Sequence, residues 1–468
     1  MTTIDEHYSN KNALVVEPYT CILNQTDIKS NKNKFYIMQL ICNNPTDTYY
    51  THYIRYGRIG EIGKITNKTL TKQSAIDAFT KQFKTKTGNV WGKPFVKKTG
   101  KYFMSELKVP DEESETESES EENTKSVITD KRIQYLLNLI SDVKMLQNSM
   151  TRMNIDTKKM PLGRISDEQI EKAKELLLKL LKDIQDKKTP DYFDISSEYY
   201  TLIPYSCGRN NPPVINAQKI IEKNLEILEE LKNIAMTVKI NKKTKLNKYD
   251  AIYSKLDTEI KPLGKKTKMY SNLSEYVMNT HCPTHNLNLE ILDIYEINRK
   301  NENFNTKLHN KTLLFHGSPL CNWCSIMKNG LYLDPSKLGV RITGKMFGYG
   351  IYWANAITKS FNYCGYQFQD NIGIIAVGEV ALGDTLQRVN ADYTINKKFL
   401  DDNKKHSTHG MGNYSPKEDG KKMLRKTTIP CGKLEKNKEQ RYLWYDEFII
   451  YDTSQYRLKY LMVLKNKT

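Results

Sequence analysis

The segment between residues 344 and 366, GKMFGYGIYWANAITKSFNYCGY, places tyrosines, phenylalanines and a tryptophan among four glycines. Aromatic rings stack on flat ligands, and glycine lets a ligand approach the backbone closely. Buried tyrosines also need partners for their hydroxyls, which argues against simple core packing. The interval of eleven residues from Tyr352 to Tyr363 suits a strand end and the next helix facing each other across a slot. The segment therefore predicts a binding slot for a flat group.

The glycines, the aromatic rings and a nearby cysteine pair also have other interpretations. Gly348 and Gly350 suggest a dinucleotide loop, but the third glycine and the βαβ context are missing. The rings could instead fill a hydrophobic core, which is where most such side chains lie. Cys321 and Cys324 have the spacing of a redox or zinc pair, yet no second pair or histidine pair completes a zinc site. We expect no metal.

Composition indicates a large chain with a basic surface. Its 468 residues exceed what one hydrophobic core usually organises, so two or three domains are expected. Lys+Arg 72 against Asp+Glu 54 gives +18, which favours a polyanionic partner such as nucleic acid, although an AT-rich genome also enriches lysine. The N-terminus has no secretory pattern, and no apolar run approaches the ~18 residues of a membrane helix. The eight scattered cysteines favour reduced thiols in an intracellular protein.

Hydrophobic periodicity divides the chain into three parts. Strand patterns at 33–44 and 49–63 are followed by a helical pattern at 72–88. The run DEESETESESEEN at 111–123 predicts a disordered linker, because it offers almost nothing to bury. Helical patterns then occupy 132–150, 166–184 and 217–237, and strand patterns dominate from about 250. In the helix at 132–150, the predicted buried face carries Leu136, Ile140, Val143 and Met150.

Three motifs carry a specific resemblance. LLFHGS at 313–318, GIYWANAITKSFNYC at 350–364 and YDEFIIYD at 445–452 resemble the catalytic domain of poly(ADP-ribose) polymerases in order and spacing. Segments between 160 and 213 resemble the regulatory helical domain of that family. The first part resembles its WGR domain, with Tyr56 at the tryptophan position. The resemblance runs from about residue 18 almost to the end.

The resemblance implies a multidomain α+β protein. A small WGR-like sheet with one helix is followed by an acidic linker, an all-α regulatory bundle and a mixed α+β ADP-ribosyltransferase domain. The predicted boundaries are 15–110, 111–128, 129–240 and 250–468.

The resemblance also implies that the flat ligand is the nicotinamide of NAD. Tyr363 would stack on one face and Tyr352 would close the other, while the Gly317 backbone and the Ser360 hydroxyl would bind the carboxamide. His316 would hydrogen-bond a ribose hydroxyl. Three further residues of the predicted NAD site are Ser318, Ser325 and Arg341.

Glu447 is the expected catalytic centre. Cleavage of the nicotinamide–ribose bond leaves an oxocarbenium-like sugar, which a fixed carboxylate stabilises. The same carboxylate would orient the 2′-hydroxyl and assist the acceptor. Lys359 matches a family lysine near the acceptor path, with a solvated surface charge as the alternative. The set His316, Tyr352 and Glu447 is the family's pattern for chain elongation.

Several positions depart from the family pattern. Tyr332 stands where DNA-dependent members have an arginine, and Ser325 replaces a glycine. Arg341 is a substitute candidate for the adenosine-side contact. The family's DNA contacts fall on Tyr56, Gly57, Arg58 and Lys64, with the alternative that Tyr56 is a core ring.

These residues predict a DNA-break-activated poly(ADP-ribose) polymerase that uses NAD as substrate. Its partners would be broken or nicked DNA and protein acceptors including itself, with no membrane partner, and the free chain would be a monomer. The alternatives are a mono-ADP-ribosyltransferase, or a DNA-end-binding scaffold with a vestigial transferase domain. The expected location is the nucleus, or a cytoplasmic site of DNA replication for a viral gene.

Overall fold

The computed structural model describes residues 4–44, 46–105, 125–155, 166–241, 246–333 and 345–467. These residues form two compact units. The first contains the described residues up to 105 together with 147–155 and 166–235, and the second contains 125–146 and everything described from 236 onward. Most of the predicted linker, at 111–124, lies outside the described residues.

The first unit contains an antiparallel sheet in the order β4-β3-β2-β1-β5, with helix α1 packed on one face. Phe79 and Phe83 of the helix are buried against Leu23, Tyr36 and Met38 of the sheet. The elements are β1 (Leu14–Asp27), β2 (Lys32–Cys42), β3 (Tyr49–Arg58), β4 (Lys64–Thr71), α1 (Lys72–Thr87) and β5 (Phe103–Ser105). The predicted small sheet with one helix is present.

Six helices follow β5 along the described chain, and some of them belong to the first unit and others to the second. They are α2 (Lys131–Ser141), α3 (Val143–Arg152), α4 (Asp167–Gln185), α5 (Tyr192–Leu202), α6 (Gln218–Ile240) and α7 (Lys248–Lys255). In the first unit, α5 is bonded to β1, since the Thr26 amide donates to the Thr201 hydroxyl at 3.1 Å.

The prediction of a single helix at 132–150 is wrong. The backbone of Asp142 is extended, so α2 ends there. The Asp142 carboxylate accepts a hydrogen bond from the Met145 amide, which begins a separate helix, α3, and Val143 is half-exposed.

The other two predicted helices form as expected. α4 begins with a complete capping box between Ser166 and Gln169, which satisfies free amides of the first turn. α6 buries Ile221, Leu225 and Leu228 on one face. Its apolar spacing, rather than intrinsic propensity, fixes which face is buried.

The second unit contains three sheets. The largest runs in the order β14-β15-β8-β10-β19-β7-β6, the second β11-β12-β18-β9, and the small third β16-β13-β17. The strands are β6 (Thr258–Pro262), β7 (Leu289–Arg299), β8 (Lys311–Ser318), β9 (Ile351–Trp353), β10 (Ile372–Ala381), β11 (Thr385–Arg388), β12 (Ser407–Gly410), β13 (Gly412–Pro416), β14 (Lys421–Leu424), β15 (Thr427–Pro430), β16 (Leu434–Lys436), β17 (Leu443–Tyr445), β18 (Glu447–Ile450) and β19 (Tyr456–Asn466). The helices that accompany them are α8 (Lys268–Asn279), α9 (Trp323–Asn329), α10 (Ile357–Phe361) and α11 (Lys397–Asp402).

The large sheet and α8 enclose the main core of this unit. Tyr276 of α8 stacks on Phe315 of β8 with ring centroids 4.1 Å apart, and Ile375 and Met462 are buried beside them. A bridge between Phe315 and Ala354 connects β8 to the residue after β9. The mixed α+β fold is confirmed. Within the described residues, no helix combines the length and apolar character needed to cross a membrane.

Candidate functional site

The end of β8 presents backbone groups along the strand edge away from β10. Phe315 exchanges both backbone hydrogen bonds with Ala354, at 2.7 and 2.9 Å, on the edge of β8 away from β10. Because backbone groups alternate along a strand, the N–H and C=O of Gly317 point to that same edge. A Cβ at Gly317 would lie 1.9 Å from the Ser360 carbonyl oxygen, so no other residue fits. This geometry suits backbone recognition of an amide-like group.

His316 is held in one tautomer. Its Nδ1 lies 2.9 Å from the Tyr352 carbonyl oxygen, which can only accept, so Nδ1 carries the proton. Burial lowers the pKa of His316 below its usual value, and the bond to Tyr352 opposes this only partly. The imidazole is therefore neutral near pH 7, and Nε2 is left as an acceptor for a hydroxyl.

Tyr352 is fixed by two hydrogen bonds at its hydroxyl. Its hydroxyl accepts from the Phe347 amide and donates to the Gly348 carbonyl, each at 2.9 Å. Burial raises the pKa of Tyr352, with smaller contributions from Glu447 and Tyr363, which lie within electrostatic reach. In contrast, the Tyr363 ring is 64% exposed in the turn after α10. One predicted ring is thus rigid and the other is accessible.

Glu447 and Lys359 form an ion pair. The Lys359 Nζ lies 2.7 Å from Glu447 Oε1, and the two side chains are only 14% and 13% exposed. Lys359 also donates to the Tyr445 carbonyl at 3.0 Å. The alternative of a solvated surface lysine is wrong, because the ammonium is held beside the predicted catalytic carboxylate.

The remaining predicted NAD-site residues differ in environment. Ser360 is buried and its hydroxyl donates to the Phe315 carbonyl at 3.3 Å. Ser318 is also buried, and its hydroxyl accepts from the Asn322 amide at 2.9 Å at the start of α9. Ser325 is half-buried within α9. Arg341 lies outside the described residues.

Sequence reasoning missed a buried carboxylate next to Glu447. Asp446 is 2% exposed and accepts hydrogen bonds from the Asn355 amide at 2.9 Å, the Gly412 amide at 2.8 Å and the Ser415 hydroxyl at 3.0 Å. The His409 Nε2 lies 3.3 Å away. Burial alone would raise the pKa of Asp446, but His409 and these hydrogen bonds outweigh it and lower that pKa.

His285 is a second neighbour that the sequence did not reveal. Its ring packs on Tyr445 with centroids 5.3 Å apart, and its Nδ1 lies 3.1 Å from the Thr358 hydroxyl. Burial, together with the charges of His281 and Lys359, lowers the pKa of His285. The motif THCPTH contains it, but only the fold places it beside the strand that leads to Glu447.

The redox or zinc interpretation of the cysteine pair is wrong. Cys321 and Cys324 are both buried, and burial raises the pKa of the Cys324 thiol to about 12. That thiol donates to the Ile140 carbonyl at 3.4 Å. Across the part of the chain that the structure describes, no cluster of His, Cys, Asp and Glu could hold a metal ion.

The first unit contains a pocket of about 380 Å³ with an aromatic and basic lining that includes Tyr56. It is lined by Lys34, Tyr36, Tyr56, Gly57, Arg58, Lys86 and Tyr102. Tyr56 stacks on Tyr36 with centroids 5.4 Å apart, and the Lys86 ammonium lies 4.6 Å from the Tyr36 centroid. Lys64, exposed on β4, is the strand partner of Tyr56. Tyr36, Lys86 and Tyr102 come from other elements, so the sequence alone did not group them.

Arg58, a predicted DNA contact, also makes several hydrogen bonds within the first unit. Its guanidinium donates to the Asn31 carbonyl at 3.1 Å and to the Asn31 side chain at 2.8 Å, and it reaches the carbonyls of Gly208 and Asn210. These bonds hold the loop at 206–210 against β3. Arg58 therefore stabilises the wall of the pocket.

Three known protein domains match nearly the whole chain. The poly(ADP-ribose) polymerase catalytic domain matches residues 267–466, the poly(ADP-ribose) polymerase regulatory domain 129–259, and the WGR domain 19–98.

Similar proteins carry the corresponding names. The chain is 32% identical to Poly [ADP-ribose] polymerase 2 of Homo sapiens, over 95% of this chain and 79% of that protein. It is 31% identical to Poly [ADP-ribose] polymerase 2 of Arabidopsis thaliana, over 96% and 73%. Against Poly [ADP-ribose] polymerase 1 of Xenopus laevis it is 34% identical, over 96% of this chain but 46% of that protein, so it spans about half the length of such relatives. The chain belongs to the poly(ADP-ribose) polymerase family.

Proposed function

We propose that this chain is an NAD-dependent ADP-ribosyltransferase that releases nicotinamide and builds poly(ADP-ribose) on protein acceptors, including itself. The observation that carries the proposal is the Glu447–Lys359 pair at 2.7 Å, with Glu447 on β18, the strand that pairs with the Tyr352 strand β9. His316 is bonded to the backbone of the same tyrosine. These two contacts, His316 with Tyr352 and Lys359 with Glu447, join groups from β8, β9, α10 and β18 and support the proposal.

The residues present fit the nicotinamide end of NAD. Gly317 offers a donor and an acceptor at the end of β8, which match the two hydrogen-bonding groups of a carboxamide. The Tyr352 ring is held by its hydroxyl and can close one face of the nicotinamide, while the Tyr363 ring is exposed and can stack on the other. The neutral Nε2 of His316 accepts a hydrogen bond from a ribose hydroxyl.

Glu447 supplies the chemical step. When the bond between ribose and nicotinamide breaks, positive charge develops on the sugar, and a carboxylate held in place stabilises it without reorganising. Lys359 orients that carboxylate through the ion pair. Glu447 can then accept a hydrogen bond from an incoming hydroxyl, which becomes the new acceptor of ADP-ribose. No metal takes part in this scheme.

Glu447→Gln tests this assignment. The amide keeps the shape of the side chain but carries no charge, so we expect nicotinamide release to fall by about 10²–10³ and polymer to disappear. Binding of a non-cleavable NAD analogue should largely persist, since the other proposed contacts to NAD come from Gly317, Ser360, His316 and the two tyrosine rings. Long polymer made by the Gln variant would contradict the role of Glu447, and single-unit transfer by the wild type would favour the mono-ADP-ribosyltransferase alternative.

We also propose that broken or nicked DNA binds the first unit and activates the enzyme. The pocket around Tyr56 supports this, because three tyrosines and three cations line it and none of its lining residues is acidic. Rings that stack on bases and cations that meet phosphates are the common parts of strand-end recognition. We propose the nucleus as the location of the protein, since DNA of this kind is found there.

Nicotinamide release with and without nicked duplex DNA distinguishes the enzyme from the alternative of a DNA-end-binding scaffold. We expect release to rise on addition of nicked DNA and to stay low with intact closed circles. A protein that binds nicks but releases no nicotinamide under either condition would be the scaffold.

A further inference from the structure

The Asp446 carboxylate is the centre of a hydrogen-bonded cluster that includes Asn355, Gly412 and Ser415, which we call the Asp446 joint. This cluster connects elements that carry the candidate active site. Asp446 lies between β17 and β18, directly before Glu447, and is 2% exposed. Consecutive residues of an extended segment point to opposite sides. The Asp446 carboxylate therefore points into the unit, where the structure buries it, whereas Glu447 points towards Lys359.

A buried carboxylate is unfavourable unless donors surround it, and here they come from separate parts of the chain. The Asn355 amide donates from the segment between β9 and α10, while the Gly412 amide and the Ser415 hydroxyl donate from β13. His409 of β12 approaches to 3.3 Å and stacks on Phe448 with centroids 4.4 Å apart. Because one carboxylate accepts hydrogen bonds from several separate segments, the Asp446 joint fixes the relative positions of those segments.

The bond to Asn355 is the one that links functional residues. Asn355 is 4% exposed and lies three residues after Tyr352 and four before Lys359. Asp446 precedes Glu447 by one. The amide–carboxylate bond at 2.9 Å therefore ties the strand end that carries Glu447 to the segment that carries its ion-pair partner and the ring-closing tyrosine.

We propose that Asp446 and Asn355 are positioning residues that set Glu447 relative to Tyr352 and Lys359 for the transfer step. This inference rests on the proposed ADP-ribosyltransferase function. Neither side chain touches NAD; each acts through its neighbour in the chain. Misplacement of a catalytic group by about 1 Å can cost ~10²-fold in rate, so the effect falls on kcat rather than on the KM for NAD.

The test measures kcat and KM for nicotinamide release by the full chain with nicked DNA. Asp446→Ala should lower kcat by about 10²-fold with an unchanged KM. Asn355→Asp should do the same, because two carboxylates would then face each other. The double variant Asn355→Asp with Asp446→Asn exchanges the amide and the carboxylate, so the same bond re-forms with reversed polarity and most of kcat should return.

Asn279→Asp is the matched control. Asn279 donates to the Cys431 carbonyl at 2.7 Å in the same unit, and it is not part of this joint, so its change should leave kcat intact. Melting temperatures separate misfolding from mispositioning, and Asp446→Asn replaces the alanine variant if that one does not fold. A folded Asp446 variant with wild-type kcat, or an exchanged pair that is stable but does not recover, overturns the inference. A wild type that releases no nicotinamide overturns the proposed function itself.

Discussion

At the scale of single residues, the neutral state of His316 has a measurable consequence. Burial lowers the pKa of its imidazole, so the ring stays neutral below the usual value of about 6.5 and becomes charged only as the pH falls through its lowered pKa. Protonation would convert Nε2 from an acceptor into a donor. The free energy of unfolding should also fall over that acid range, because the unfolded chain binds the proton more readily.

NMR of protein with ¹⁵N-labelled histidine tests this directly, with His316→Gln to assign the signal. We expect a midpoint below about 6.5 and a shift typical of the Nδ1-protonated tautomer. A His316 midpoint at or above about 6.5 would contradict the role given to Nε2.

Gly317 sets a steric limit at the proposed carboxamide site. A methyl group there would meet the backbone oxygen of Ser360, which cannot move without shifting α10. Gly317→Ala should therefore lower the free energy of unfolding by about 1–3 kcal/mol and weaken binding of nicotinamide analogues. Gly264→Ala is the matched control in the same unit, since its nearest neighbour is a threonine methyl at 3.4 Å. Equal melting temperatures and equal analogue binding for the two variants would show that the contact is unimportant.

At the scale of elements, local signals predicted some boundaries and not others. The capping box at Ser166 and the αL glycine after α1 are short-range features, and both elements form where expected. The break at Asp142 was missed because the apolar spacing continues across it. The Asp446 joint could not be predicted at all, since its donors lie 31 to 91 residues away in the chain and only the fold brings them together.

The pocket around Tyr56 is likewise a product of several elements. β2 supplies Tyr36, β3 supplies Tyr56 and α1 supplies Lys86. Base stacking on an aromatic ring contributes about 1–3 kcal/mol, so Tyr56→Ala should weaken binding to nicked DNA by roughly that amount. Tyr56→Trp should strengthen it, because indole is the larger platform.

Fluorescence anisotropy with a nicked duplex at fixed salt measures both changes. Tyr50→Ala is the control, since Tyr50 lies on the same strand six residues away and does not line the pocket. If Tyr56→Ala binds as tightly as the wild type, Tyr56 is only a core ring packed on Tyr36.

At the scale of the whole molecule, we propose that the helical segment controls the activity of the transferase. The regulatory domain matches residues 129–259, and the helices within it are divided between the two compact units. We expect this segment to shift an equilibrium between a closed and an open state of the transferase. DNA binding at the first unit would then be transmitted by a change in population.

Leu228 of α6 tests this regulation because it is only 1% exposed and carries no functional group. Leu→Ala at a buried site costs about 2–5 kcal/mol, and that loss should fall mainly on the closed state, in which the bundle is fully packed. We therefore expect Leu228→Ala to release nicotinamide without DNA at a rate well above the wild type. Glu229→Ala, at the exposed neighbouring position, should leave the basal rate unchanged. A folded Leu228→Ala protein that still depends fully on nicked DNA would exclude control through α6, and activation would then have to act on the transferase domain itself.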